Sequence, residues 1–301
     1  MTTATPTETR AERTITGVFQ GPGFHWVGDG FRVSNYFPSG NRFGHRMSPF
    51  LMFDYHAPYA YPPTDRTDRG VGSHPHRGFE TVTVAWEGSV AHHDSAGNAG
   101  VIGPGDVQWM TAGSGILHKE YHEAEYARRG GPMHMAQIWV NLPRANKMSA
   151  PGYQGIVDAD IPRVALPGND GYVRIIAGEY AGVKGAARTF TKLSMLDIHV
   201  DASGRAEFAF PARENVGLMV LDGHVTINGH AEAKTYDFVL FDNAGEQITV
   251  EASKDSHLLI LAGEPIDEPV VQYGPFVMNT EQEIHQAMLD FNAGHFGHMD
   301  D

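Results

Sequence analysis

The chain has 301 residues, 41% of them hydrophobic and 19% charged, with 35 Gly, 18 Pro and no Cys. That composition is globular, favours turns over long helices, and excludes disulfides, thiolate metal sites and cysteine nucleophiles. With 22 basic and 36 acidic residues the net charge is −14, which repels phosphate backbones and argues against direct binding of nucleic acid.

The first 14 residues, MTTATPTETRAERT, are polar and lack the apolar stretch of a secretory signal, and no run approaches 18 apolar residues. The expectation is a cytoplasmic protein that does not engage a membrane. From residue 15 onward short alternating runs are broken by Gly and Pro. Residues 31–36, 81–86, 107–110 and 137–142 have the length and pattern of strands. Residues 55–72, rich in Pro, Asp, Arg and Tyr without periodicity, are expected to form a long loop over the mouth of a cavity.

A proline-rich stretch, 143–170, separates this series from a second one at 216–221, 225–227, 238–241, 248–251 and 258–262. The pairs Asp222-Gly223 and Asn228-Gly229 signal hairpins, because both central positions of a type I′ turn need positive φ. The series echo each other: "AWEGSV" at 85–90 is similar to "VLDGHV" at 220–225, and "PGDVQWM" at 104–110 to "TYDFVLF" at 235–241. The chain ends in a capping box, Thr280 with Glu283, followed by Ile284, Met288 and Phe291 at helical spacing and by Gly294. The fold class expected is all-β, two similar β-barrels with a C-terminal helix over 280–293, divided into domains 1–148 and 149–301.

The segment "GVGSHPHRGFETVTVAWEGSV" places His74 and His76 two residues apart, so on a strand both point to one face. Downstream, "GSGILHKEYHE" places His118 and Glu120 in the same relation. Two such pairs on facing strands converge on one point. Three imidazoles and one carboxylate suit a divalent first-row metal: Fe, Mn, Ni, Cu or Zn. An octahedral ion would keep two positions for substrate, water or O₂, and a net charge near +1 would attract an anionic oxygen donor. Glu80 has three readings: a ligand, a hydrogen-bond partner of a ligand histidine, or a salt-bridge partner of Arg77. By strand parity it falls on the face of the histidines, and the partner role is preferred.

Several stretches resemble the pirin family of bicupin proteins: "PFLMFDYH" (49–56), "HPHRGFETVT" (74–83), "HHDSAGNAGVIGPGDVQWMTAGSGILHKE" (92–120), "QIWVNLP" (137–143) and "QYGPFVMNTEQEIHQAMLDFNAGHFG" (272–297). The resemblance implies two cupin, jelly-roll-like domains, with a metal, usually iron, held only in the first by His74, His76, His118 and Glu120. In the second half the counterpart strands, around 216–225 and 248–251, have no His-x-His or His-x-Glu, in keeping with a metal-free cupin. One departure is that Lys119 and Tyr121 flank the Glu, where family members commonly carry a small residue and Met.

By the same resemblance the chain is read as a metal-dependent dioxygenase, Fe(II) preferred, that cleaves flavonols such as quercetin with O₂. Glu120 is the expected catalytic base, and Phe53, Tyr55, Trp109 and Met110 are expected to line the pocket, with Trp86 and Trp139 in barrel core. The alternative reading is a redox-responsive, iron-binding regulator of a transcription factor or metabolic enzyme. Its protein contacts would fall on the acidic segment after residue 264 or on the loop carrying Arg66 and Arg69. A monomer is expected from two self-contained barrels.

Overall fold

The computed structural model describes residues 11–38 and 42–299. Each half of the chain builds one seven-stranded and one four-stranded antiparallel sheet. In the first half the large sheet runs in the order Gly152–Ile156, Val107–Thr111, Phe79–Glu87, Gly131–Asn141, Phe50–Tyr61, Phe31–Phe37, His25–Val27. The small sheet runs Gly70–His76, Ile116–His122, Val90–Asp94, Ala99–Ile102. The second half repeats the plan strand for strand. Its large sheet is Ile15–Gln20, Asp237–Phe241, Asn215–Asp222, Ser256–Gly263, Leu193–Val200, Gly171–Ala177, Arg163–Ala165, and its small sheet Arg205–Ala209, Gln247–Ala252, His224–Ile227, Ala231–Lys234. No ladder joins large sheet to small among the described residues, so the expected barrels are open two-sheet jelly rolls of cupin type.

The sequence echo marks the same corner in both halves. At Gly88 and Gly223 the chain leaves the large sheet and enters the small one, with φ of 84° and 117° that a glycine adopts without strain. Asp222-Gly223 is therefore a crossing between sheets, not a hairpin. Asn228-Gly229 is a hairpin, with φ of 52° and 68° and Ile227 paired with Ala231.

Edge strands are exchanged between the halves. Ile15–Gln20 pairs with Asp237–Phe241 in the second large sheet, while Gly152–Ile156, beyond the expected boundary at 148, pairs with Val107–Thr111 in the first. The expected loop over 55–72 is shorter. Phe50–Tyr61 stays paired with Gly131–Asn141 as far as Tyr61 against Gly131, because that long partner supplies a ladder throughout.

The outer faces of the two large sheets pack on each other through one shared core, including Tyr36, Phe53, Tyr55, Trp109, Met219, Phe238 and Leu259. Phe43 stacks on Phe238 at 5.5 Å, and Phe53 lies 6.1 Å from the same ring. Central strands of these sheets are thus covered on both faces, and Val107–Thr111 is buried at all five positions. The C-terminal helix, Glu281–Asn292, starts as expected: Thr280 Oγ1 accepts from the Glu283 N–H and Glu283 Oε2 accepts from the Asn279 N–H. It packs through Ile284 and Ala287 with Phe276, Phe296 and Leu117, against the first half.

Candidate metal centre

Strand alternation in the small sheet brings the predicted ligands together. Ile116, His118, Glu120 and His122 alternate inward along one strand, and His118 faces His74 across the ladder. A β-bulge between His118 and Glu120 re-aims the carboxylate. The rings of His74, His76 and His118 lie with centroids 4.3–4.8 Å apart, and their ligating nitrogens fall within 4.8 Å of one another. The matching inward positions of the second small sheet are Ala206, Phe208, Ile248 and Val250, so hydrocarbon fills that jelly roll where the first has donors.

The nitrogens of the first cluster are disposed for a cation. His74 Nδ1–H donates to the Gly72 carbonyl at 2.8 Å, leaving Nε2 with its lone pair. His76 Nδ1 and both ring nitrogens of His118 are buried without a hydrogen-bond partner. Burial first, and then the neighbouring imidazoles, hold His76 and His118 well below the usual histidine range, while the Pro275 carbonyl works the other way on His76. Both rings are neutral at pH 7. Neutral, crowded imidazoles with unspent lone pairs fit a divalent ion.

Glu120 stands slightly apart. Its Oε1 accepts from Gln108 Nε2 at 2.8 Å and from Thr83 at 3.4 Å, and its Oε2 accepts from Gln137 Nε2 at 2.8 Å. Its oxygen groups with His92 and His118 rather than with His74 and His76. His74, His76 and Glu120 nevertheless line one cavity of about 250 Å³, walled by Phe31, Met52, Met135 and Trp139 and carrying Asp54 and Gln137 as its other polar side chains.

Three expectations change here. Glu80 is fully buried on the opposite side of its strand, where Oε1 accepts from Thr111 Oγ1 at 2.7 Å. Burial raises its carboxyl to about 7, against the Thr111 hydroxyl and the Trp109 indole. Parity fails because the chain changes sheets between His76 and Phe79: Gly78 sits at φ 88°, where a Cβ would lie 2.0 Å from the Val277 carbonyl. The expected pocket residues Phe53, Tyr55 and Trp109 lie in the core between halves, and Met110 packs with Ala112 and Ile116. Their strands turn the alternate residues, Met52 and Asp54, to the cavity. Trp139 lines the cavity as well, 5.2 Å from His76, instead of lying in core, and Trp86 faces a cleft between the halves.

Sequence reasoning missed His92, Gln108, Gln137 and Asp54. His92 had a visible signal, since His92-x-Asp94 repeats the two-residue spacing of the ligand pairs. The glutamines had none, because they matter only through strands that meet in the fold.

A second cluster, Asp197, His199 and His257, also gathers its donor atoms within 4.8 Å. It is closed. Asp197 accepts from Arg174, Trp86 Nε1 and His257 Nε2, and the two imidazoles stack face to face at 4.0 Å. Its carboxylate is already committed to three donors, whereas the ring nitrogens of the first cluster are not.

Among the described residues no helix is long and apolar enough to cross a membrane. Residues 30–140 match the family model for pirin, and residues 195–297 that for the pirin C-terminal cupin domain. A Pseudomonas aeruginosa protein provisionally named a quercetin 2,3-dioxygenase is 46% identical over 282 residues, 94% of this chain and 98% of its own. Pirin of Mus musculus is 41% identical over 81% of both chains. The crystal structure of a quercetin 2,3-dioxygenase from Acinetobacter baumannii superposes with a TM-score of 0.91 at 46% identity, over 95% of this chain and 99% of the other.

Proposed function

The chain belongs to the pirin family, and on that premise we propose that it is a metal-dependent dioxygenase that opens the ring of flavonols such as quercetin with O₂. The observation that carries the reading is the shared cavity: His74, His76 and Glu120 open into the same apolar space, so an aromatic substrate there meets donors and carboxylate together. His74, His76 and His118 would hold the ion, Fe(II) by preference, with Glu120 as fourth donor. Bound there, the ion supplies Lewis acidity and redox chemistry beside the substrate hydroxyl.

The chain's own residues do the rest. Trp139, Phe31, Met52 and Met135 give the flat rings an apolar wall to pack against. Glu120 accepts the proton of the flavonol 3-hydroxyl, while Gln108 and Gln137 keep its oxygens aimed. The flavonolate, now electron-rich, takes up one O₂. Ring cleavage returns an aromatic ester and one carbon monoxide, so every oxygen atom is accounted for.

The test is anaerobic loading with Fe(II), followed by O₂ uptake measured alongside loss of quercetin absorbance. Sustained turnover with matched O₂ consumption, abolished by chelation, is expected. Tight iron binding without turnover would overturn the substrate assignment.

A further inference from the structure

Resting on the metal-centre reading above, we propose that His92, seated by Asp94, is the positioning residue of the metal ligand His118. His118 is fully buried, and neither of its ring nitrogens has a hydrogen-bond partner. An imidazole can give only one nitrogen to an ion. The other then carries N–H and, buried, needs an acceptor.

His92 is that acceptor. It is fully buried on the strand beside His118, where Glu120 pairs with His92 and His118 with Asp94 across the ladder. His92 Nε2 lies 3.2 Å from Asp94 Oδ2. A carboxylate only accepts, so Nε2 carries an N–H; in the neutral ring Nδ1 then holds the lone pair, and Nδ1 is buried without a partner. The two rings stand 5.4 Å apart, and His92, His118 and Glu120 bring donor atoms within 4.8 Å of one another.

The pair is held stiffly. Asp94 Oδ1 takes the Ala96 and Asn98 N–H groups of the following turn, and the Tyr153 ring stacks on His92 at 4.9 Å and 20°. Tyr153 in turn donates to Gln108, whose amide holds Glu120. His118 is thus oriented from behind by an imidazole on a carboxylate, which sets its tautomer and raises its basicity as a ligand.

The test uses Co(II) as probe, with affinity from chelator competition, the d–d absorption spectrum, and a thermal melt of the apoprotein. His92→Leu is expected to bind Co(II) about 10–100-fold more weakly, with the band positions of the wild type. His92→Gln, whose carbonyl can still accept the N–H, is expected to recover most of that loss. Wild-type affinity in His92→Leu overturns the proposal. So does a spectrum that reports one donor fewer, which would make His92 a ligand, or a His92→Gln protein as weak as His92→Leu, which would reduce His92 to packing. If His92→Leu does not fold, His92→Gln decides alone, and a loss above about tenfold overturns the idea. Failure of the wild type to take Co(II) sinks the metal centre itself, whereas wild-type binding indifferent to His92 sinks only this inference.

Discussion

Arg77 and Asp290, 213 positions apart, are joined by a hydrogen bond of 2.8 Å from Nη1 to Oδ2. Arg77 directly follows His76, and its Nε donates to the Ser114 carbonyl while its guanidinium covers the Phe296 ring at 4.6 Å. One buried cation therefore ties the end of a metal-site strand to the C-terminal helix. The helix that closes the sequence braces the first jelly roll.

Removing that tie should loosen both ends. Arg77→Ala leaves the Ser114 carbonyl without its side-chain donor, takes one donor from Asp290 while Gln286 still donates to it, and uncovers Phe296. We expect Tm to fall by roughly 5 °C or more, and Co(II) affinity to fall with it. An unchanged melt measured by circular dichroism would show the helix to be held by its apolar face alone.

Glu120→Gln keeps the volume and removes the base. It also turns an amide nitrogen toward Gln108 or Gln137, each of which donates to the carboxylate. Turnover of quercetin at matched metal content should drop about 10²–10⁴-fold, with an apoprotein melt close to the wild type. Wild-type turnover would remove Glu120 from the chemistry.

Glu80 gives a pH signature. Its carboxyl is raised by burial to about 7 in the fold, from an ordinary value of 4.5, so the folded state binds the extra proton between those values. Stability from this group is full below pH 4.5 and falls as pH rises toward 7, where a buried carboxylate must be carried. Glu80→Gln should match the wild type in urea melts near pH 4.5 and be more stable by about 3 kcal/mol at pH 8. Equal differences at both pH values would count against it.

The cavity can be filled without touching a donor. Met135 is part of its wall, and Met135→Trp adds an indole to a space of about 250 Å³. The KM for flavonol should rise at least about tenfold, while Co(II) binding stays near the wild type. Unaltered kinetics would mean that substrate approaches the centre from elsewhere.

The sequence by itself determined everything that depends on local periodicity. Two-residue spacing predicted that His74 with His76, and His118 with Glu120, would each share a face, and the small sheet brings His74, His76 and His118 together. The Thr280–Glu283 box predicted the helix start, and the "EG" and "DG" echoes marked a repeated unit whose glycines turn the same corner twice. Tertiary structure alone decided the rest. Which face of a large-sheet strand looks into the cavity cannot be read when both faces are buried, and so Met52, Asp54 and Trp139 line it while Phe53, Tyr55 and Trp109 weld the halves together. Parity carried across Gly78 misplaced Glu80, because alternation is a property of one strand in one sheet. His92, Gln108 and Gln137 reach the centre only because strands distant in sequence hydrogen-bond side by side, and a one-dimensional pattern holds no record of that pairing.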